Sequence, residues 1–201
     1  SVFAMSHIAE HKYFFTATPR VSNKHDRGMN NLSVFGPRLE SVPAPELINN
    51  GSIIPPTIVP FNTQGTVDKK NPHIQHSEAV QSVIDTLDEQ HAAKVLVAVP
   101  SSRVLGNILG HTDMLDQLKQ RGYDVLHVTS KFGAYVNQTK VNREVFFETL
   151  TNWGKDKERK FVLFHYSILS EGINVPGLTH CILLRNLNVV EMAQTIGRVI
   201  R

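Results

Sequence analysis

Apolar positions in the second part of the chain change repeatedly between helix-like and strand-like spacing. From 77 to 91 they recur every three or four residues, which predicts an amphipathic helix. The run 94–100, KVLVAVP, is continuously apolar, as in a strand buried on both faces of a parallel sheet. Further strands are predicted at 123–128, 161–164 and 179–184, and further helices at 114–121, 143–153 and 189–200. This alternation predicts an α/β fold, with a parallel sheet and helices on both faces.

The first part of the chain has a different pattern. Residues 12–18 are aromatic and β-branched and precede Pro19, which predicts a buried strand ending in a turn. A short helix is predicted at 46–49, introduced by two prolines and followed by Gly51. A second strand is predicted at 57–61. The prolines and the glycine around the short helix are typical of a segment that crosses between two domains.

Composition narrows the class of protein. With 201 residues and 41% hydrophobic residues, the chain is long enough for a buried core. Its apolar runs are far shorter than the roughly 20 residues that cross a bilayer, so no membrane partner is expected. The single cysteine, Cys181, cannot form an internal disulfide, which favours a reducing, cytoplasmic location. The net charge of +3 permits phosphate contacts but is common among ordinary domains.

The final segment, QTIGRVIR, carries the most specific chemistry. On a helix, Gln194, Arg198 and Arg201 project from one face, because they are four and three residues apart. Two guanidiniums and an amide on one face can clamp the charge of a transferring phosphoryl group. Gly197 allows another backbone or a ligand to approach closely. The alternative is a solvated basic helix end, which the helix dipole favours.

Five segments in order along the chain resemble helicase motifs. TATP at 16–19 resembles motif III, VAVPSSRV at 97–104 motif IV, VTSKFG at 128–133 motif IVa, SEGINVP at 170–176 motif V, and QTIGRVIR at 194–201 motif VI. Together they resemble the superfamily-two helicases, and residues 35–56 are similar to the branch of type III restriction subunits and phage helicases. The resemblance implies a RecA-like fold and a bacterial or phage origin.

The family has two RecA-like lobes, with ATP between them. The resemblance implies that residues 1–50 are the tail of the first lobe and the crossing segment. It implies that residues 51–201 are the second lobe, truncated after motif VI. Since Ser1 is not Met and Arg201 ends a helical pattern without a stop signal, we expect both ends to be cuts in a longer protein.

The resemblance also assigns roles at the ATP side. Arg198 and Arg201 would reach the γ-phosphate and Gln194 would sense it, while Gly172, Asn174 and Gly197 would face the nucleotide. ATP with Mg²⁺ would be bound mainly by the first lobe. Asn174 replaces the Asp of many relatives, which keeps hydrogen bonding without the charge. Thr16 and Thr18 would couple ATP to the nucleic acid, or are simply paired strand threonines.

Contacts to nucleic acid are implied at the loops that follow strands. Hydroxyls, amides and basic groups suit phosphate oxygens and do not read bases, so we expect backbone tracking, with DNA favoured over RNA. For each hydroxyl, the alternative role is loop capping. The residues concerned are Ser101, Ser102, Arg103, Thr129, Ser130, Lys131 and Ser170.

Three further patterns are interpreted as coincidences. Residues 88–91 spell DEQH, but they end a helix and follow TATP, whereas a genuine DExH box precedes it. His73 and His76 are expected to be an exposed loop pair without a metal. Gly154 and Lys155 lack the rest of a phosphate loop, and no GxxxxGK[ST] occurs. The chain alone should therefore not hydrolyse ATP.

These observations favour part of an ATP-dependent helicase or translocase that supplies arginine fingers and half of the nucleic-acid groove. Two alternatives remain open at this stage. One is a non-catalytic nucleic-acid-binding module from a degenerate helicase. The other is an unrelated nucleotide-binding α/β enzyme, such as a glycosyltransferase-like lobe, whose activity would not depend on DNA or RNA.

Overall fold

The computed structural model divides into two compact units, Ser1–Ile53 and Ile54–Arg201. The structure describes residues 10–16, 19, 21–24, 28–60, 68–87, 91–166, 175–185 and 196. The first unit contains helices α1 (Leu32–Phe35) and α2 (Ala44–Asn49). The second unit contains, in chain order, α3 (Pro72–Asp85), β1 (Lys94–Ala98), α4 (Ser102–His111), α5 (Met114–Gln120), β2 (Asp124–Thr129), β3 (Gly133–Val136), β4 (Thr139–Val141), α6 (Arg143–Lys155), β5 (Phe161–His165) and β6 (His180–Leu183).

The predicted short helix in the first unit is confirmed as α2. Pro43 precedes its first residue, and Gly51 lies just beyond its end with a φ of +75°. That left-handed conformation lets the Ser52 amide donate to the Leu47 carbonyl at 2.8 Å, which closes the helix end.

The two strands predicted outside the sheet are wrong for the residues that the structure describes. Residues 12–16 and 57–60 form no strand, and most of their apolar side chains face solvent, with Phe15 93% and Ile58 75% exposed. Aromatic and β-branched residues favour strands chiefly by packing against neighbours. The Phe14 ring contacts that of Phe35, with centres 4.7 Å apart, but among the described residues neither segment pairs with a strand, and strand propensity alone does not order it.

The second unit is built on one mixed sheet with the order β4-β3-β2-β5-β1-β6. Strands β2, β5, β1 and β6 run parallel, and β3 and β4 extend the β2 edge as antiparallel strands. Every residue of β1 and β5 is buried, in agreement with their apolar runs at 95–98 and 161–164, and the polar residues Lys94 and His165 at their ends are buried too. The predicted α/β, RecA-like architecture is confirmed.

Helices cover both faces of this sheet. On one face, α3, α4 and α5 pack around a core that includes Val97, Ile108 and Phe164. On the other, α6 packs through Phe146 and Leu150 onto Leu96 and its neighbours. Alternate residues along each strand therefore enter separate cores, as the twofold period of a strand requires.

Two elements of this unit were not predicted from sequence. Helix α4 carries Gly106 and Gly110, which weaken the helical pattern. The β3–β4 hairpin turns at Asn137 and Gln138, both with positive φ, without the glycine that usually marks such turns. The Asn137 side chain stabilises this turn, because its Oδ1 accepts from the Val125 amide at 2.8 Å.

Candidate nucleic-acid interface

The carboxyl ends of the four parallel strands are aligned along one side of the sheet, here called the carboxyl edge. Val128, His165, Ala98 and Leu183 lie in one row across β2, β5, β1 and β6. The row continues into the loops, since the Val99 amide donates to the His165 carbonyl and the Leu184 amide to that of Ala98, each at 3.0 Å. Loops that follow such strand ends commonly form the ligand-binding crevice of α/β proteins.

The loop after β1 brings three predicted contact residues to the start of α4. Ser101 is the N-cap residue, and its Oγ accepts from the Val104 amide at 3.1 Å. Ser102 and Arg103 form the first turn of the helix, and Arg103 is exposed. The positive end of the α4 dipole therefore lies at the carboxyl edge beside a guanidinium, which is a favourable setting for an anion.

The three predicted contact residues in the turn after β2 have different environments. Thr129 is buried, and its Oγ1 accepts from the Phe132 amide at 2.9 Å, so its hydroxyl closes the turn. Ser130 and Lys131 are exposed. The Lys131 ammonium lies 5.3 Å from the centre of the Phe132 ring. The structure thus presents Ser130 and Lys131 to solvent and holds Thr129 inside.

Two residues at the same edge were missed from sequence. Tyr166 directly follows β5, and Arg185 comes two residues after β6. The Arg185 guanidinium carbon lies 5.3 Å from the centre of the Tyr166 ring. Within the described residues, the buried Arg185 Nε has no hydrogen-bond partner. The strand-end rule that selected Lys131 could have selected both, because Tyr166 and Arg185 lie within two residues of the ends of predicted strands.

The opposite side of the sheet, the amino edge, is closed by protein contacts. The buried Lys94 Nζ donates to the carbonyls of Gly154 and Asp156, at 3.0 and 2.6 Å. Arg159 forms a 2.6 Å ion pair with Asp124 at the start of β2. The charges at this edge are thus neutralised or hydrogen-bonded within the chain, and they suit structural roles.

Every predicted ATP-side residue lies outside the described residues: Gln194, Gly197, Arg198, Arg201, Gly172 and Asn174. The predicted nucleic-acid contact Ser170 lies outside them as well. Thr18 also lies outside them, and Thr16 is exposed in the first unit. The end of the SEGINVP segment is described. Val175 is buried against α6, and Pro176 packs so closely on Gly154 that an added Cβ there would lie 2.3 Å from the Pro176 carbonyl oxygen.

His73 and His76 differ from the expected exposed loop pair. Both lie in the first turns of α3 and are half-buried, because this helix begins five residues before the predicted start. Burial lowers the pKa of His76. The described residues contain no group of three or more His, Cys, Asp or Glu placed to hold a metal ion.

Cys181 lies half-buried in β6, and burial raises the pKa of its thiol to about 12. It is therefore protonated near neutral pH, which gives it little nucleophilic character. Of the DEQH residues, only His91 is described.

No helix among the described residues is long and apolar enough to cross a membrane.

Comparison with known proteins identifies one family. The family model described as the helicase conserved C-terminal domain matches residues 77–201, more than half of the chain. No curated protein and no solved structure matches.

Proposed function

The chain belongs to the helicase conserved C-terminal domain family, and from this premise we propose that it is the second RecA-like lobe of an ATP-driven translocase on nucleic acid. The family consists of parts of ATP-dependent helicases. The observation that carries the proposal is the carboxyl edge, where exposed basic residues follow two parallel strands, β1 and β2. A motor lobe of this kind holds the strand's backbone while ATP hydrolysis changes its position relative to a partner lobe.

The proposed ATP side consists of residues from motifs V and VI. Arg198 and Arg201 would act as arginine fingers on the γ-phosphate, with Gln194 as its sensor. Gly172, Asn174 and Gly197 would line the nucleotide side. The chemistry of this set fits a triphosphate, since guanidiniums and amides donate to phosphate oxygens. It contains no carboxylate for Mg²⁺, which suits a metal held mainly by the first lobe. Bound ATP would supply the free energy of hydrolysis.

The nucleic-acid side is proposed at the loops after β1 and β2. Ser102, Arg103, Ser130 and Lys131 would contact phosphates, with Ser170 of motif V beside them. Ser101 and Thr129 would hold these loops in shape, because both hydroxyls accept backbone hydrogen bonds. Phosphate contacts of this kind give backbone tracking without reading sequence. DNA is proposed as the track in preference to RNA.

Residues 1–50 are proposed as the tail of the first lobe and its crossing segment, in the branch of type III restriction subunits and phage helicases. The division of the chain after Ile53 supports a boundary near this position. The exposed apolar side chains of Tyr13 and Phe15 suit a segment that packs against protein outside this unit. Thr16 and Thr18 would then couple the ATP site to the strand.

A binding module that does not hydrolyse ATP is the second candidate. The exposed basic residues of the carboxyl edge favour it as much as they favour a motor, because they need no nucleotide to contact phosphates. The two candidates differ in what happens to ATP.

The deciding experiment measures ATP hydrolysis by the full-length protein with and without single-stranded and duplex DNA or RNA. We expect stimulation by one nucleic acid, and a loss of roughly a thousandfold in Arg201→Ala, as for a removed arginine finger. Lys155→Ala, which removes an exposed charge at the end of α6, is the matched control and should hydrolyse normally. Hydrolysis absent with every nucleic acid, while strand binding persists, would support the binding module.

A further inference from the structure

A cavity of about 230 Å³ opens between α4 and the turn that joins β2 to β3. Two glycines form its helical wall. A Cβ on Gly106 would lie 3.6 Å from the Phe132 ring, and a Cβ on Gly110 would meet nothing within 4 Å. The remaining lining residues are Leu105, Leu109, His127, Phe132 and Tyr135. The absence of side chains at the two glycines therefore leaves a space that a ligand could occupy.

Three aromatic rings line this cavity. His127 and Tyr135 are directly paired across β2 and β3, and their rings stack with centres 4.6 Å apart and an interplanar angle of 13°. Phe132 stands at the turn and is 38% exposed. Burial lowers the pKa of His127 to about 4, so its ring is uncharged at neutral pH. The cavity therefore offers flat, neutral surfaces of the kind on which an aromatic ring stacks.

Basic residues lie on two sides of the cavity. Ser102, Gly106 and Gly110 are four residues apart along α4 and share one face, and Arg103 adjoins it at the helix start. Lys131 directly precedes Phe132 on the other side. Within the described parts of the chain, Arg103 and Lys131 form no ion pair with a carboxylate. Positive charge on both sides of a neutral aromatic cavity matches a strand whose phosphates are outside and whose base is inside.

We propose that this cavity binds one unstacked base of a single strand, while Arg103 and Lys131 contact the neighbouring phosphates. The inference rests on the proposed function and adds a base subsite to it. The cavity is smaller than the roughly 300–1,000 Å³ of sites for drug-sized ligands, so it suits one ring system. Stacking on aromatic side chains accepts any base, because every base has a π-face. The subsite would therefore grip the strand without reading its sequence.

The test measures fluorescence anisotropy of the whole chain with labelled oligothymidylate, oligouridylate and an abasic strand of equal length, at low salt. Gly106→Leu fills the cavity, and Phe132→Leu keeps an apolar side chain but removes the ring. Phe147→Leu, on α6 at the other face of the sheet, is the matched control. Thermal unfolding of each variant checks its fold, and the half-exposed position of Phe132 makes that variant the safer of the two.

We expect the wild-type chain to bind a strand with bases about tenfold more tightly than the abasic strand. Gly106→Leu and Phe132→Leu should lose this difference and keep their affinity for the abasic strand, whereas Phe147→Leu should keep both. A 2-aminopurine in the strand should be quenched by the wild type and not by Phe132→Leu. The thymidylate and uridylate arms show which of these two strands binds more tightly.

Two negative outcomes have different meanings. Equal affinity for the abasic and base-containing strands, or an unchanged difference in both cavity variants, would overturn the base subsite and leave the phosphate contacts intact. Failure of every strand to bind the wild-type chain would contradict the proposed function itself.

Discussion

At the amino edge of the sheet, Lys94 and Arg159 are held by carbonyls and a carboxylate, whereas Arg103 and Lys131 at the carboxyl edge are exposed. The same residue types therefore occur in two settings on one sheet. A lysine whose ammonium is buried and hydrogen-bonded supports the fold. A basic side chain held by no carboxylate contributes little to stability and can bind an anion. Position along parallel strands separates these roles, because the carboxyl ends are where ligands bind.

The largest effect on stability is expected where α6 meets the end of the SEGINVP segment. In Gly154→Ala, the new Cβ would lie 2.3 Å from the Pro176 carbonyl oxygen, a backbone atom that cannot rotate away. Overpacking of this kind should lower the free energy of unfolding by about 3 kcal/mol. Urea denaturation measures it, with Gly110→Ala as the control.

The Gly110→Ala control separates the effect of close packing on stability from the effect of helix propensity. Because Gly110 has open space beside it, alanine there should stabilise the protein by about 0.5–1 kcal/mol through helix propensity. Equal effects of the two substitutions would contradict the close contact at Gly154.

Removing the buried ammonium at the amino edge should have the next largest effect. Lys94→Met leaves the carbonyls of Gly154 and Asp156 without their donor, at a cost of about 2 kcal/mol in unfolding free energy. Strand binding should stay unchanged. Lys155→Met, at the exposed end of α6, should change stability by less than about 0.5 kcal/mol. A loss of strand binding in folded Lys94→Met would remove the distinction between the two edges.

Burial of His127, which lines the cavity, should make stability depend on pH. The pKa of His127 falls from 6.5 to about 4 on folding, because burial disfavours its charged form. The unfolded chain therefore binds a proton between these values that the folded chain does not. Stability should fall as the pH drops from about 6.5 towards 4, by on the order of 1 kcal/mol at pH 5.5 relative to pH 8.

His127→Phe should remove this part of the pH dependence, and unfolding measured at the two pH values would reveal it. Equal slopes in wild type and His127→Phe would mean that His127 is not buried as described.

The sheet was more predictable from sequence than the cavity. Buried parallel strands such as β1 and β5 each contain four consecutive apolar residues, so their sequence identifies them directly. Helix α4 and the β3–β4 hairpin were missed, since two glycines and an Asn-Gln turn weaken the usual patterns. These same elements form the cavity, which depends on the distance between two segments that no local pattern encodes.

The predicted contact residues lie in loops that follow the carboxyl ends of strands, where ligands usually bind. This rule gives the position of a residue along the chain but does not say whether its side chain is buried or exposed. It selected Thr129 and Lys131 together, although only the structure distinguishes a buried hydroxyl from an exposed ammonium. The strand at 12–18 was predicted separately, from its aromatic and β-branched residues, and that prediction is wrong for the described residues 12–16, which form no strand. Propensity describes what a segment can form, and packing decides whether it does.

The smallest change in stability, and the clearest in binding, is expected at the carboxyl edge. Arg103 is exposed and forms no ion pair among the described residues, so Arg103→Ala should alter the free energy of unfolding by less than about 0.5 kcal/mol. If its guanidinium neutralises one phosphate, binding to single-stranded DNA should weaken, and the slope of log affinity against log salt should become shallower by about 0.7. Lys155→Ala should leave that slope unchanged. An unaltered slope in Arg103→Ala, with normal stability, would mean that the start of α4 does not touch the strand, and the phosphate contacts would then have to come from the β2–β3 turn alone.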